Sequence, residues 1–224
     1  MTVGLTLFGA PTIAFGGKSV ALGFERRTQL LVYLALKRSW VTRAELAALL
    51  WPDQNSKLAS TNLRKALHRL QGLPGAGRIE VQPGAMRFEA RTDVHDFETA
   101  LRDQHIADAL ALHHGDLLAG FDDDSNEAWS RWMHFERERL RSAWRAAAAQ
   151  HLGGDVAVTE AVDLAARLLD ADPLDESALR LTVEWLVRAG QVAGARQAYN
   201  AFVARLRDEL GLAPGAELRS LQKL

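Results

Sequence analysis

The stretch STNLRKALHRLQGL, residues 60–73, sets cationic side chains against a leucine stripe. At about 100° per residue, Leu63, Ala66, Leu67 and Leu70 share one face of a helix. Thr61, Lys65 and His68 point away from that face, with Arg64 and Arg69 on its flanks. Such a surface can attract a polyanion, or it can be an ordinary solvated face. The neighbouring residues favour the polyanion. Between Asp53 and Glu80 there is no carboxylate, yet the same stretch carries Lys57, Arg64, Lys65, Arg69 and Arg78. A merely solvated helix mixes signs to gain i,i+4 pairs.

Other constellations are weaker. Asp122-Asp123-Asp124-Ser125-Asn126 resembles the start of a calcium loop. The sixth and twelfth places of that loop need Gly and Glu, however, and hold Glu127 and Met133. Capping of a long helix from near Asn126 accounts for the run better. His113 and His114 are adjacent and diverge by about 100° on a helix, which suits a solvated helix end better than a metal pair. Gly17-Lys18-Ser19 lacks the glycine a phosphate loop needs five places earlier, where Thr12 stands, so a hairpin turn is expected. Trp129, Trp132, Phe135 and Trp144 follow a spacing that suits a packed helix face rather than a ligand pocket. No G-x-S-x-G or H-E-x-x-H occurs. No catalytic residue, metal ligand or cofactor is expected, and the chain reads as a non-enzyme.

The 224 residues are enough for two small cores, and the absence of cysteine removes disulfides and thiolate chemistry. No apolar run reaches the roughly 18–20 residues that cross a bilayer, and the first residues look like strands, not a signal peptide. A cytoplasmic protein with no membrane partner is expected. The net charge of −1 hides an asymmetry. Residues 1–91 hold 13 Lys+Arg against 5 Asp+Glu, a net of +8, while residues 92–224 hold 14 against 23, a net of −9. Opposite signs in the two halves point to a polyanion partner for the first, unless its charge is spread evenly.

The elements that would position these charges can be read from periodicity. Leu5, Leu7, Ile13, Phe15, Val20 and Leu22 alternate around Pro11 and a Gly16-Gly17 turn, predicting an antiparallel meander with one buried face. Leu30, Leu31, Leu34 and Ala35 give a helix from near Glu25 to Arg38. Thr42-Arg43-Ala44-Glu45 matches a capping box in which Thr42 and Glu45 exchange bonds, opening a helix over 43–50. The basic helix spans about 56–73. Ile79 and Val81, a Gln82-Pro83-Gly84-Ala85 turn of type II, and Met86-Arg87-Phe88 then form a hairpin, with Arg78 and Arg87 on its arms. A short helix, a tight break, a longer basic helix and a hairpin is helix-turn-helix order with a wing. Beyond residue 91, helices are expected at about 94–104, 106–113, 126–151, 156–171, 175–189, 192–210 and 214–223. Ala161/Ala195, Leu168/Phe202 and Leu169/Val203 repeat at 34 residues, the tetratricopeptide period.

VTRAELAALLW followed by WPDQ and STNLRKALHRLQ resembles the winged-helix half of SARP-type regulators. DVHDFETAL, GDLLAGF and the stretch ending DELGLAPGAELRSL resemble the bacterial transcriptional activator domain. The resemblance implies an OmpR-like winged helix-turn-helix domain of α+β class over 1–91. An all-α, tetratricopeptide-like activator domain would follow over 92–224. It further implies binding to double-stranded promoter DNA at repeated sites, association of copies on that DNA, and recruitment of RNA polymerase. Carried onto this chain, Thr61, Lys65 and Arg69 lie nearest the bases, Arg64 and His68 meet the backbone, and Gln82 and Arg87 lie in the wing. Gln82 and Gln71 stand where basic residues are common, which weakens phosphate attraction. They motivate a second reading, a protein-interaction adaptor whose winged helix no longer reads DNA.

Overall fold

The computed structural model describes residues 3–73 and 79–220. The chain forms two compact units, Met1–Ala143 and Trp144–Leu224.

In the first unit, β1 (Gly4–Thr6), β2 (Thr12–Phe15) and β3 (Lys18–Ala21) form the expected antiparallel meander. Leu5 and Ile13 face each other and are buried. Val20 does not join them: β3 is the edge of the sheet and all four of its residues are exposed. On the other side of β1 lies β7 (Arg91–Thr92), paired in parallel. Asp93 follows directly, and its carboxylate accepts from the amides of Leu7 at 2.8 Å and Phe8 at 3.0 Å. Burial pushes that carboxyl up from its ordinary value, opposed by the amides it accepts from.

Through such contacts the first compact unit includes residues beyond 91. α4 (Asp93–Arg102) begins under a Thr92 cap, and α5 (Ile106–Leu112) follows it. Phe97 from α4 meets Phe8 edge-on at 5.5 Å between centroids. His113, expected at a wet helix end, instead packs on the Phe8 ring at 4.6 Å. Asn126 caps α6 (Glu127–Leu152) by accepting from the Trp129 amide at 3.1 Å, as the acidic run suggested. Along α6, Trp129 and Trp144 are buried, but Phe135 is 65% exposed and does not belong to the packed face.

In the second unit, α7 (Val158–Ala171), α8 (Glu176–Arg188) and α9 (Val192–Leu210) pack in succession, α8 against both neighbours. The 34-residue pairs occupy equivalent places. Ala161 and Ala195 are fully buried, and Leu168 and Phe202 lie in the packed faces of α7 and α9. Small residues at matched positions let neighbouring helices approach closely, which is the physical content of the repeat. The short α10 (Ala216–Ser220) adds Leu218 to the core of Leu179, Val183, Tyr199, Phe202 and Leu206. Residues 221–223, expected to extend it, lie outside the described residues.

A candidate nucleic-acid interface

Three helices and a small sheet of the first unit build the candidate site. α1 (Arg26–Lys37) is buried from Thr28 to Ala35 and is the post against which the rest packs. α2 (Arg43–Leu50) starts under the Thr42 hydroxyl, which accepts from the Glu45 amide at 3.1 Å. The Glu45 carboxylate does not return that bond as expected; it accepts from the Tyr33 hydroxyl at 2.7 Å. Burial and that nearby carboxylate push the Tyr33 phenol up, so it stays a neutral donor.

α3 (Ser56–Leu70) follows a five-residue break, with the Asn55 side chain accepting from the Leu58 amide at 3.0 Å. Ala59, Leu63, Ala66 and Leu70 are buried; Leu67, expected with them, is only half-buried. Lys57, Arg64, Lys65, His68 and Arg69 are exposed, and Thr61 is half-exposed with its hydroxyl donating to the Lys57 carbonyl at 3.0 Å. The Arg64 Nε donates to the Ser60 carbonyl at 3.3 Å. Among the described residues, no carboxylate forms an ion pair with Lys57, Arg64, Lys65 or Arg69. Their charge is therefore uncompensated within the molecule, which raises the potential along this helix.

The wing is β5 (Ile79–Gln82) and β6 (Ala85–Phe88), joined by Pro83-Gly84. Gly84 takes φ +86°, which suits the type II turn read from the sequence. Sequence reasoning missed the third strand, β4 (Val41–Thr42), which pairs with β6. The Arg43 amide also donates to the Gly84 carbonyl at 2.8 Å, so the turn of the wing is tied to the start of α2. Two-residue strands carry almost no periodicity, so β4 gave no signal in the pattern.

Gln82 is exposed at the turn. Arg87, expected in the wing, is engaged there by neighbouring side chains. It pairs with Glu80 at 2.9 Å and Glu89 at 3.0 Å, and its guanidinium lies 5.1 Å from the centre of the Trp40 ring. Glu80 is its cross-strand partner, a relation that exists only once the hairpin register is known. Arg78 lies outside the described residues. The structure thus brings Thr61, Arg64, Lys65, His68 and Arg69 together on α3 and leaves Arg87 neutralised by its own hairpin.

A winged helix-turn-helix is therefore followed by helical hairpins in the order the sequence suggested. The family described as bacterial transcriptional activator domain matches residues 85–224. The chain belongs to that family. It has the architecture of a SARP-type transcriptional regulator, with the winged helix preceding the activator domain. Over 153 residues the chain is 31% identical to an uncharacterized 47.3 kDa protein from the thcA 5' region of Rhodococcus erythropolis. That match covers 67% of this chain and 32% of the relative, so the chain spans about a third of that protein. The fold is similar to that of Mycobacterium tuberculosis EmbR, solved in complex with a low affinity phosphopeptide. The TM-score is 0.69 at 18% identity, over 99% of this chain and 64% of EmbR.

The family match begins at residue 85, inside the wing, whereas the compact units divide at residue 143. Helices α4 and α5 of the activator-domain sequence accordingly fold with the winged-helix residues. Among the described residues, no three His, Asp or Glu side chains gather as a metal site, and no helix is long and apolar enough to cross a membrane.

Proposed function

We propose that this regulator binds double-stranded promoter DNA through α3, with Thr61, Arg64, Lys65, His68 and Arg69 as the contact set. The observation that carries this reading is the exposed cationic face of α3, which finds no carboxylate partner among the described residues. An α-helix fits the major groove, and Coulomb attraction to phosphates provides most of the affinity. The wing, pinned to α2, lies against the neighbouring backbone through Gln82 and the hairpin amides, while Arg87 supports the hairpin. The helical second unit serves self-association on repeated sites and contact with RNA polymerase, and the protein works in the cytoplasm as an activator.

The test is salt-titrated binding of the full chain to genomic promoter fragments. The regulator is expected to show a steep loss of affinity with salt together with sequence preference. The neutralised Arg87 and the uncharged Gln82 favour a second reading, a tetratricopeptide-like adaptor that has lost DNA recognition. Absence of binding to any fragment at low salt would decide for that adaptor.

A further inference from the structure

Between the first turn of α1 and α3 lies a cleft of about 490 Å³, lined by Glu25, Arg27, Trp51, Asn62, Lys65 and Arg69. Arg26 also reaches it, but its guanidinium is bound to Asp123 and Gln29. At 100° per residue, Thr61 and His68 point directly away from the buried Leu63–Ala66–Leu70 face. Asn62 and Arg69 turn off that line by about a quarter turn, toward α1, with Lys65 between the two directions. Arg69 therefore faces the cleft and not the centre of the exposed face.

The cleft holds its own acid. Arg27 forms an ion pair with Glu25: Nη2 donates to one carboxylate oxygen at 3.0 Å, and Nε lies 2.9 Å from the other. Its remaining nitrogen, Nη1, reaches the Arg69 carbonyl at 3.4 Å, at the carboxyl end of α3. One cation of the cleft is thus already neutralised, while Lys65 and Arg69 have no carboxylate partner among the described residues. Glu25 is 51% exposed, so its charge is felt by anything anionic that enters.

We propose that this cleft seats the sugar-phosphate backbone of one DNA strand, with Arg69 as a phosphate contact and Glu25 as the group that limits affinity by holding Arg27. This deepens the DNA-binding reading above and rests on it. Trp51 supplies an apolar wall for the deoxyribose, and Asn62, oriented by donating to Gln54 at 2.6 Å, stands beside Lys65. Base reading is then left to Thr61, His68 and Lys65 on the outward line of α3. A regulator gains from such restraint. Every phosphate contact strengthens binding to all sequences alike, so an acid that holds one back preserves the contrast between operator and bulk DNA.

The experiment compares the wild-type full chain with Arg69→Ala and Glu25→Gln on two probes: a mixed-sequence duplex and a duplex enriched by the wild type from a random pool. Arg69→Ala is expected to weaken both by the same factor and to reduce the salt slope by about 1, the mark of a lost phosphate contact. Glu25→Gln is expected to tighten both by the same factor and to steepen the slope by about 1. The backbone side of the α1 cap, Glu25 N–H to the Thr28 hydroxyl at 3.0 Å, does not involve the carboxylate and is kept. Arg69→Lys keeps the slope and covers the case in which Arg69→Ala fails to fold. Loss of affinity by Arg69→Ala on the enriched duplex alone would make Arg69 a base reader and overturn the proposal. So would Glu25→Gln binding no tighter than wild type. Displacement of the duplex by inorganic phosphate or a mononucleotide, beyond what chloride at matched ionic strength does, overturns it in favour of a free-anion site. Failure of the wild type to bind either duplex at low salt overturns the DNA-binding reading itself, an outcome separate from all of these.

Discussion

α3 and α6 are both rich in arginine, and they treat it in opposite ways. Every arginine of α6 has a carboxylate within reach. Arg131 meets Glu127, Arg137 meets Asp122, Arg139 meets Glu98 and Glu136, Arg141 meets Asp116 and Glu138, and Arg145 meets Asp172. Along α3 no such partner appears among the described residues for Lys57, Arg64, Lys65 or Arg69. On α6 the cations join the helix to loops and neighbouring helices. On α3 they meet no carboxylate among the described residues, so their charge is left to solvent and counterions or, on the reading proposed above, to the phosphates of DNA. The difference separates arginine as a structural tie from the arginines proposed above as DNA contacts, although the residue type is the same.

The sharpest way to break the comparison is to reverse charge on α3. Lys65→Glu with Arg69→Glu is expected to lower duplex affinity by about a thousandfold, counting two lost contacts and the added repulsion. Its chemical-denaturation stability should stay within about 0.5 kcal/mol of wild type, because the exposed face makes no internal pairs. A large loss of stability would place α3 with α6.

Next in size is Arg137→Ala. This side chain is 19% exposed and donates to the carbonyls of Leu117 at 2.8 Å and Leu118 at 3.1 Å as well as to Asp122. Removing it takes the side-chain donor from the Leu117 carbonyl, while Leu118 keeps the Phe121 amide and Asp122 is largely exposed, so the expected cost is about 2 kcal/mol in urea unfolding with no change in duplex affinity of the folded protein.

Asp123 is bound by Arg26 and by the Ser125 hydroxyl, at 2.7 Å for the latter. Burial alone would raise its carboxyl, but those donors outweigh it and hold the group below the ordinary 3.8. A lowered pKa in the folded state gives stability that is complete above 3.8 and lost as pH falls through the folded value. Asp123→Asn is therefore expected to be about 2 kcal/mol less stable than wild type near neutral pH. Urea titrations repeated at descending pH should show the gap closing below the ordinary aspartate range.

The smallest effect sharpens the contrast inside α6 itself. Arg131 and Glu127 are 76% and 86% exposed, and their i,i+4 pair lies in high dielectric. Arg131→Ala is expected to change the melting free energy by no more than about 0.5 kcal/mol.

Much of this contrast was legible in the residues themselves. Leu63, Ala66 and Leu70 announced the buried side of α3, and the missing carboxylates between Asp53 and Glu80 announced the other. Pro83-Gly84 announced the wing turn, because a positive φ at Gly84 is what that pair accommodates. What stayed hidden depends on contacts distant in sequence or on partners known only after folding. The ion pairs of Arg87 need the register of β5 on β6, and the Tyr33 hydroxyl that takes Glu45 from its capping role comes from another helix. Phe135 fitted the spacing of a packed face, but spacing does not say how wide that face is. The cleft beside Arg69 needed α1 and α3 to be placed together, a relation that no window along the chain contains.

The bond from β1 to Asp93 bears on anyone preparing a minimal fragment. Trimming the gene after codon 91 would remove the acceptor for the Leu7 and Phe8 amides, half of β7, and the Phe97 ring that covers Phe8. Such a clone should express as aggregate, whereas one extended through Ala143 keeps the first strand closed.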